Sequence, residues 1–171
     1  MRHLRTLGAV SFAWILAACV PLPPPPQARA AGCPEATAWS TAYARTRLLG
    51  GLGPGTVRVL RYQISVHPRE APPCSSLILT KTLALRRGPG PLQIVEIRSF
   101  YRHGRLVATH RARIGHELPD SGVYTARLTL PIPAQAPPGH YKMVSLLYAR
   151  WGAGGSPTLI ARTRTRFAVG P

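Results

Sequence analysis

The chain has 171 residues, of which 22 are Lys or Arg and only 5 are Asp or Glu, a formal charge of +17 at pH 7. That length accommodates one hydrophobic core, and five carboxylates leave paired-carboxylate catalysis few candidates. Arginine outnumbers lysine 20 to 2, which G+C-rich coding can produce unaided, but such coding does not account for the scarcity of acids.

Residues 1–18 contain the parts of an export signal, with Arg2 and Arg5 preceding an apolar run from Leu7 to Ala18. The run is too short to span a bilayer, which needs roughly 20 residues. Its last residues, Leu16-Ala17-Ala18-Cys19, resemble a bacterial lipobox. The resemblance covers the first 19 residues and implies that Cys19 begins the mature chain and carries lipid, which would tether the protein to a membrane of the cell envelope. Val20 stands where an aspartate is linked with inner-membrane retention, so the expected site is the outer membrane, facing the periplasm. A competing cleavage after Ala28-Arg29-Ala30 would instead release a soluble periplasmic or secreted protein. With the leader removed, twenty basic side chains face five acidic ones, a charge of +15.

Residues 19–32 form the expected tether. Pro23 to Pro26 cannot donate backbone hydrogen bonds and favour an extended polyproline conformation, which at about 3.1 Å per residue reaches about 40 Å at most. Export into an oxidising compartment leaves Cys33 and Cys74 as an even pair. A bridge between them would close a loop of about 40 residues, worth about 4 kcal/mol in the chain-entropy model; neither cysteine has the CxxC spacing of a metal site. Residues 33–54 form an N-terminal segment with one expected short helix between Pro34 and Gly50. Pro34 suits a first helical position, Glu35 the positive end, and Arg45 and Arg47 the negative end. On such a helix Trp39 and Tyr43 share a face.

From residue 55 to 171 the pattern changes to period two, with Pro and Gly punctuation every ten or so residues, as in an all-β antiparallel sandwich. Seven strands are expected, near 56–67, 76–87, 92–102, 105–114, 122–132, 140–151 and 157–169. His103-Gly104 suits a two-residue hairpin turn. That turn pairs Tyr101 with Leu106, Ser99 with Ala108 and Ile97 with His110, and on the other face Phe100 with Val107 and Glu96 with Arg111. His110 is read as a hydrogen-bonded core histidine. Gly139-His140-Tyr141-Lys142-Met143 follows a strand in which Tyr124, Ala126, Leu128 and Leu130 alternate inward. The segment resembles the E-to-F region of immunoglobulin-like domains, where G-x-Y-x-C is usual. The resemblance implies that Tyr141 is the corner tyrosine, bonded to backbone upstream, and that Met143 replaces the second core cysteine. A fibronectin-type or macroglobulin-type sandwich fits the same residues.

Arg162, Arg164 and Arg166 alternate with Thr163, Thr165 and Phe167, so their guanidiniums stand in a row about 7 Å apart, and Arg111 and Arg113 repeat the pattern. Such rows suit bidentate contact with phosphates or carboxylates; the plainer reading is a solvated sheet face. The expected function is noncatalytic: a lipid-tethered sandwich that binds an anionic envelope component or an envelope protein assembly. A second reading is an accessory, chaperone-like subunit that pairs with a partner by strand addition. A third, nucleic-acid binding, lacks a helix-turn-helix, RRM or OB signature. No G-x-S-x-G motif occurs, and Ser121 beside Asp120 reads as a turn. His110, His116 and Glu117 lack HExxH or Cys-His spacing, so no metal is expected. Gly88-Pro89-Gly90-Pro91 is a turn rather than a phosphate loop, and no cofactor is expected.

Overall fold

The computed structural model describes residues 52–152 and 154–171, together with the backbone of residues 44–47. Nine strands form two packed sheets, and the all-β sandwich expected from the sequence is the fold. They are β1 (Ala44–Arg47), β2 (Val57–His67), β3 (Glu70–Ala71), β4 (Ser76–Arg87), β5 (Leu92–Arg102), β6 (Arg105–Arg113), β7 (Gly122–Pro131), β8 (Gly139–Trp151) and β9 (Thr158–Val169). One sheet runs β1-β7-β4-β2 and the other β3-β9-β8-β5-β6. All ladders are antiparallel except the two-residue pairing of β3 with β9. A 3-10 turn, Gly115–Glu117, links β6 to β7. Among the described residues, no helix is long and apolar enough to cross a membrane.

The seven expected strands coincide with β2 and β4 to β9 within a residue or two at each end. Period-two alternation explains the agreement: one apolar side chain in two points into the core. On β4 that alternation buries Leu77, Leu79, Leu83 and Leu85 completely, and on β7 it buries Tyr124, Ala126, Leu128 and Leu130. The core between the sheets is completed by Ile94, Met143, Leu147 and Phe167.

Two expectations about local structure need correction. Residues 44–47, placed in the helix between Pro34 and Gly50, are instead strand β1, in register with Gly122–Thr125 of β7. An unpaired β7 edge offers backbone partners that outweigh the weak helical preference of this short segment. The sandwich therefore recruits part of the segment assigned to 33–54, and among the described residues β1 and the two-residue β3 join the seven expected strands. The remainder of the expected helix, with Trp39, lies outside the described residues, as do the leader, the tether, Cys19 and Cys33.

The second correction concerns the β5–β6 hairpin. Its turn is as expected, with His103 and Gly104 at φ 49° and 78° and Tyr101 opposite Leu106. A bulge then shifts the register by one residue, so that Phe100 pairs with Ala108, Arg98 with His110, Ile97 with Arg111 and Glu96 with Ala112. A one-residue slip exchanges the faces of a whole strand. The expected Glu96–Arg111 pair is consequently absent. Glu96 turns into the core, whereas Arg111 turns out to solvent.

Candidate functional site: a cationic sheet face over a buried charge network

The register of the five-stranded sheet decides which side chains share its outer face. Arg162 on β9 lies opposite Leu146 on β8, Leu146 opposite Ile97 on β5, and Ile97 opposite Arg111 on β6. Partners in antiparallel register point to the same face, so one transverse row reads Arg162, Leu146, Ile97, Arg111. The next reads Arg164, Val144, Ser99, Thr109, and Arg166 continues the β9 column beside Lys142. Arg113 lies opposite Val95, which lies opposite Tyr148. The two arginine columns deduced from sequence therefore belong to one surface. They flank a half-buried apolar strip at a separation of three strand spacings, about 14 Å.

All five of these arginines are exposed. The sequence reading missed two further cations on the face. Arg150 lies opposite Gln93 and donates a hydrogen bond to its side-chain oxygen; Lys142 sits with Nζ 5.2 Å from the Tyr101 ring centre. Neither belongs to an obvious arginine row, and only the pairing of β8 with β5 and β9 brings them in. Arg111, Arg113 and Arg150 rim a surface cleft of about 360 Å³ floored by Val95, Ile97 and Tyr148. Among the described carboxylates, the register places only Glu70 on this face, at its edge on β3 opposite Ala168. Seven cations on one sheet face make a field that attracts polyanions and falls off with salt.

Between this sheet and the other lies charge of a different kind. Lys81, Glu96 and Arg98 are almost completely buried. Lys81 Nζ donates to Glu96 Oε2 at 2.8 Å, and Arg98 Nε lies 3.8 Å from the same oxygen. The other carboxylate oxygen accepts from Tyr62 at 2.6 Å and from Ser145 at 3.0 Å. Burial alone would push the Glu96 carboxyl up, but the Lys81 and Arg98 charges, with the hydrogen bonds, hold it below the ordinary carboxylate value. Burial pulls the Lys81 ammonium down despite Glu96, and burial followed by the Glu96 charge pushes the Tyr62 hydroxyl up. His110 faces inward and its Nδ1 lies 3.0 Å from Arg98 Nη2. Burial and then Arg98 lower its pKa, with Glu96 opposing. The hydrogen-bonded histidine expected from sequence is present, although it joins Arg98 and Glu96 rather than the Tyr101 face. The network joins three strands of one sheet to two of the other, which is a structural role.

The remaining candidates lie apart from one another. The Tyr141 hydroxyl donates to the Pro137 carbonyl at 2.7 Å, the contact that the immunoglobulin-like resemblance implies, and its ring stacks on Phe167 at 5.3 Å. Met143 is fully buried. Cys74 sits in the turn before β4 at φ 60°, with its N–H bonded to Ile132 O at 3.0 Å. His116 contacts Glu117 at 3.5 Å on the 3-10 turn, and no group of three metal-ligating side chains gathers among the described residues.

No family model matches the chain, and no curated protein matches it. Among solved structures, the chain is similar to Spo0M, a sporulation control protein from Bacillus subtilis, at 15% identity and a TM-score of 0.34. The similarity covers 68% of this chain and 50% of that one, so the chain spans about half the length of that protein.

Proposed function

We propose that the protein is a noncatalytic lipoprotein of the cell envelope that binds an anionic envelope component through the outer face of its five-stranded sheet. The observation that carries this reading is the convergence of Arg111 and Arg113 with Arg162, Arg164 and Arg166 on one surface. Planar guanidiniums suit phosphate and carboxylate groups, and a solvated face serving solubility alone would not require columns of a single sign. Leu16-Ala17-Ala18-Cys19 supports attachment at Cys19, and Cys33 with Cys74 supports an oxidised, exported domain.

The test is binding of soluble inorganic polyphosphate as a function of salt. The wild-type chain binds with a steep negative dependence of log affinity on log salt concentration. Replacing Arg162, Arg164 and Arg166 by Gln lowers affinity at least tenfold and flattens the slope. Equal binding by this variant and by Arg111→Gln/Arg113→Gln would refute the site. Fatty-acid labelling that disappears in Cys19→Ser supports the anchor; an unlabelled chain beginning at Ala31 refutes it. Mass mapping of non-reduced protein tests the Cys33–Cys74 bridge.

A further inference from the structure

The open flank of the sandwich, where β6 faces the outer half of β7, shares Arg111 and Arg113 with the cationic face and adds an unpaired edge and two recesses to it. The β6 strand is the last of its sheet, and no other described strand pairs with its outer edge. Across the flank, β1 covers only Gly122–Thr125 of β7. Ala108 points inward, opposite Phe100, yet is exposed, so the flank is open at this point. Leu106 and Val107 are 58% and 52% exposed.

Behind this edge the gap between the sheets holds two recesses of opposite character. Val107 and Ala108 border an apolar cavity of about 310 Å³, walled by Leu130 and Ile132 and floored by Phe100 and Phe167. Four residues further along β6, Ala112 borders a polar cleft of about 210 Å³. Lys81 and Arg98 line that cleft with the carboxylates Glu96 and Glu117, and Arg111 and Arg113, whose side chains point to the outer face on either side of Ala112, form its rim. Both recesses open beside inward-facing alanines, whose small side chains leave the space unfilled. An exposed sheet edge with pockets at alternate side-chain positions is the arrangement by which sheets bind extended peptides.

We propose that β6 is a docking edge for an extended segment of a partner protein carrying an apolar side chain and, four residues away, an acidic one. A strand added to β6 places the residue opposite Ala108 and the residue opposite Ala112 on the inward face, about 13 Å apart at 3.2–3.4 Å per residue. The first enters the apolar cavity, and the second lies at the mouth of the polar cleft, where the guanidiniums of its rim, Arg111 and Arg113, reach an acidic side chain. A second copy of this chain is a poorer occupant, because an antiparallel β6–β6 pairing would bring Arg105, Arg111 and Arg113 of both copies together. The inference goes beyond polyanion binding and does not depend on it.

The probes are two capped nine-residue peptides of alternating Thr, with Leu and Glu four residues apart on one face, in the two possible orders. They are titrated into the isotopically labelled intact chain and followed by amide NMR. The expected result is saturable shifts over residues 105–113 for at least one order. Affinity falls at least tenfold when the peptide Leu becomes Ser or its Glu becomes Lys. Val107→Lys, at an exposed position, and Ala108→Phe, which fills the cavity, each lower affinity at least tenfold with thermal stability retained. Four outcomes would overturn the proposal: no shifts; shifts confined to the outer face around Arg162, Arg164 and Arg166; undiminished binding by both variants; or concentration-dependent β6 shifts without peptide, which would signify self-pairing.

Discussion

The two faces of the five-stranded sheet use the same side-chain chemistry in opposite ways. On the inner face, Arg98 is 2% exposed and lies within a network that includes Lys81, Glu96 and His110. On the outer face, Arg111, one residue along β6 from that histidine, is exposed among other cations. The difference is parity on a pleated strand: a side chain that points inward must find partners or destabilise the fold, whereas one that points outward is solvated. Charge inside this sandwich is therefore a stability feature, and charge outside it is available for binding.

The largest effect that would test this contrast is loss of Glu96. Glu96→Ala leaves Lys81 and Arg98 buried together without their shared carboxylate and costs about 3–5 kcal/mol in chemical denaturation. Lys81→Met costs less, because Arg98 still lies 3.8 Å from Glu96. A cost below about 1 kcal/mol for Glu96→Ala would mean that water already reaches the network and that the inner face is not distinct from the outer one.

Acid sharpens the same point. The lowered His110 pKa means that, below its ordinary value of 6.5, the unfolded chain takes a proton that the folded chain refuses, so stability falls with pH. Glu96, held below its ordinary 4.5, adds a second decline as pH passes under that value, because the unfolded carboxylate protonates first. Thermal denaturation across pH 3–8 shows both stages, and His110→Asn removes only the upper one. A stability that rises on acidification from pH 7 to 5 would contradict the assignment.

A smaller effect is expected at the corner. Tyr141→Phe removes one hydrogen bond to the Pro137 carbonyl and costs about 1 kcal/mol, with the stacking on Phe167 retained. Equilibrium denaturation midpoints check it. The smallest effect is on the outer face, where replacing Arg162, Arg164 and Arg166 by Gln changes stability by about 0.5 kcal/mol or less while polyphosphate affinity drops. A collapse in stability would mean that these arginines are integral to the fold.

How far each face was legible in the sequence follows from these residues. Lys81 stands at an inward position of the alternation Leu77, Leu79, Lys81, Leu83, Leu85, a signal of a buried charge that pattern alone provides. Its partner Glu96 is not legible as buried, because Val95, Ile97 and Tyr101 make the opposite face of β5 the more apolar one in sequence; the bulge between Phe100 and Tyr101 separately reverses the parity of β6. That slip parted Arg111 from Glu96 and turned the arginine to the outer face. The Arg162, Arg164, Arg166 column was legible because β9 is regular over that stretch. Its union with Arg111 and Arg113, and the addition of Lys142 and Arg150, required the strand order.

Sequence by itself determined the all-β class, seven strands, the inward side chains of β7, the hairpin turn at His103-Gly104 and the corner tyrosine, because all of these depend on contacts between near neighbours or on period-two alternation. Tertiary structure decided the recruitment of residues 44–47 as an edge strand, the bulged register, the buried Lys81–Glu96–Arg98 network and the open β6 flank. Each of these depends on which distant backbone lies alongside, and on where one extra residue in a ladder turns a strand over.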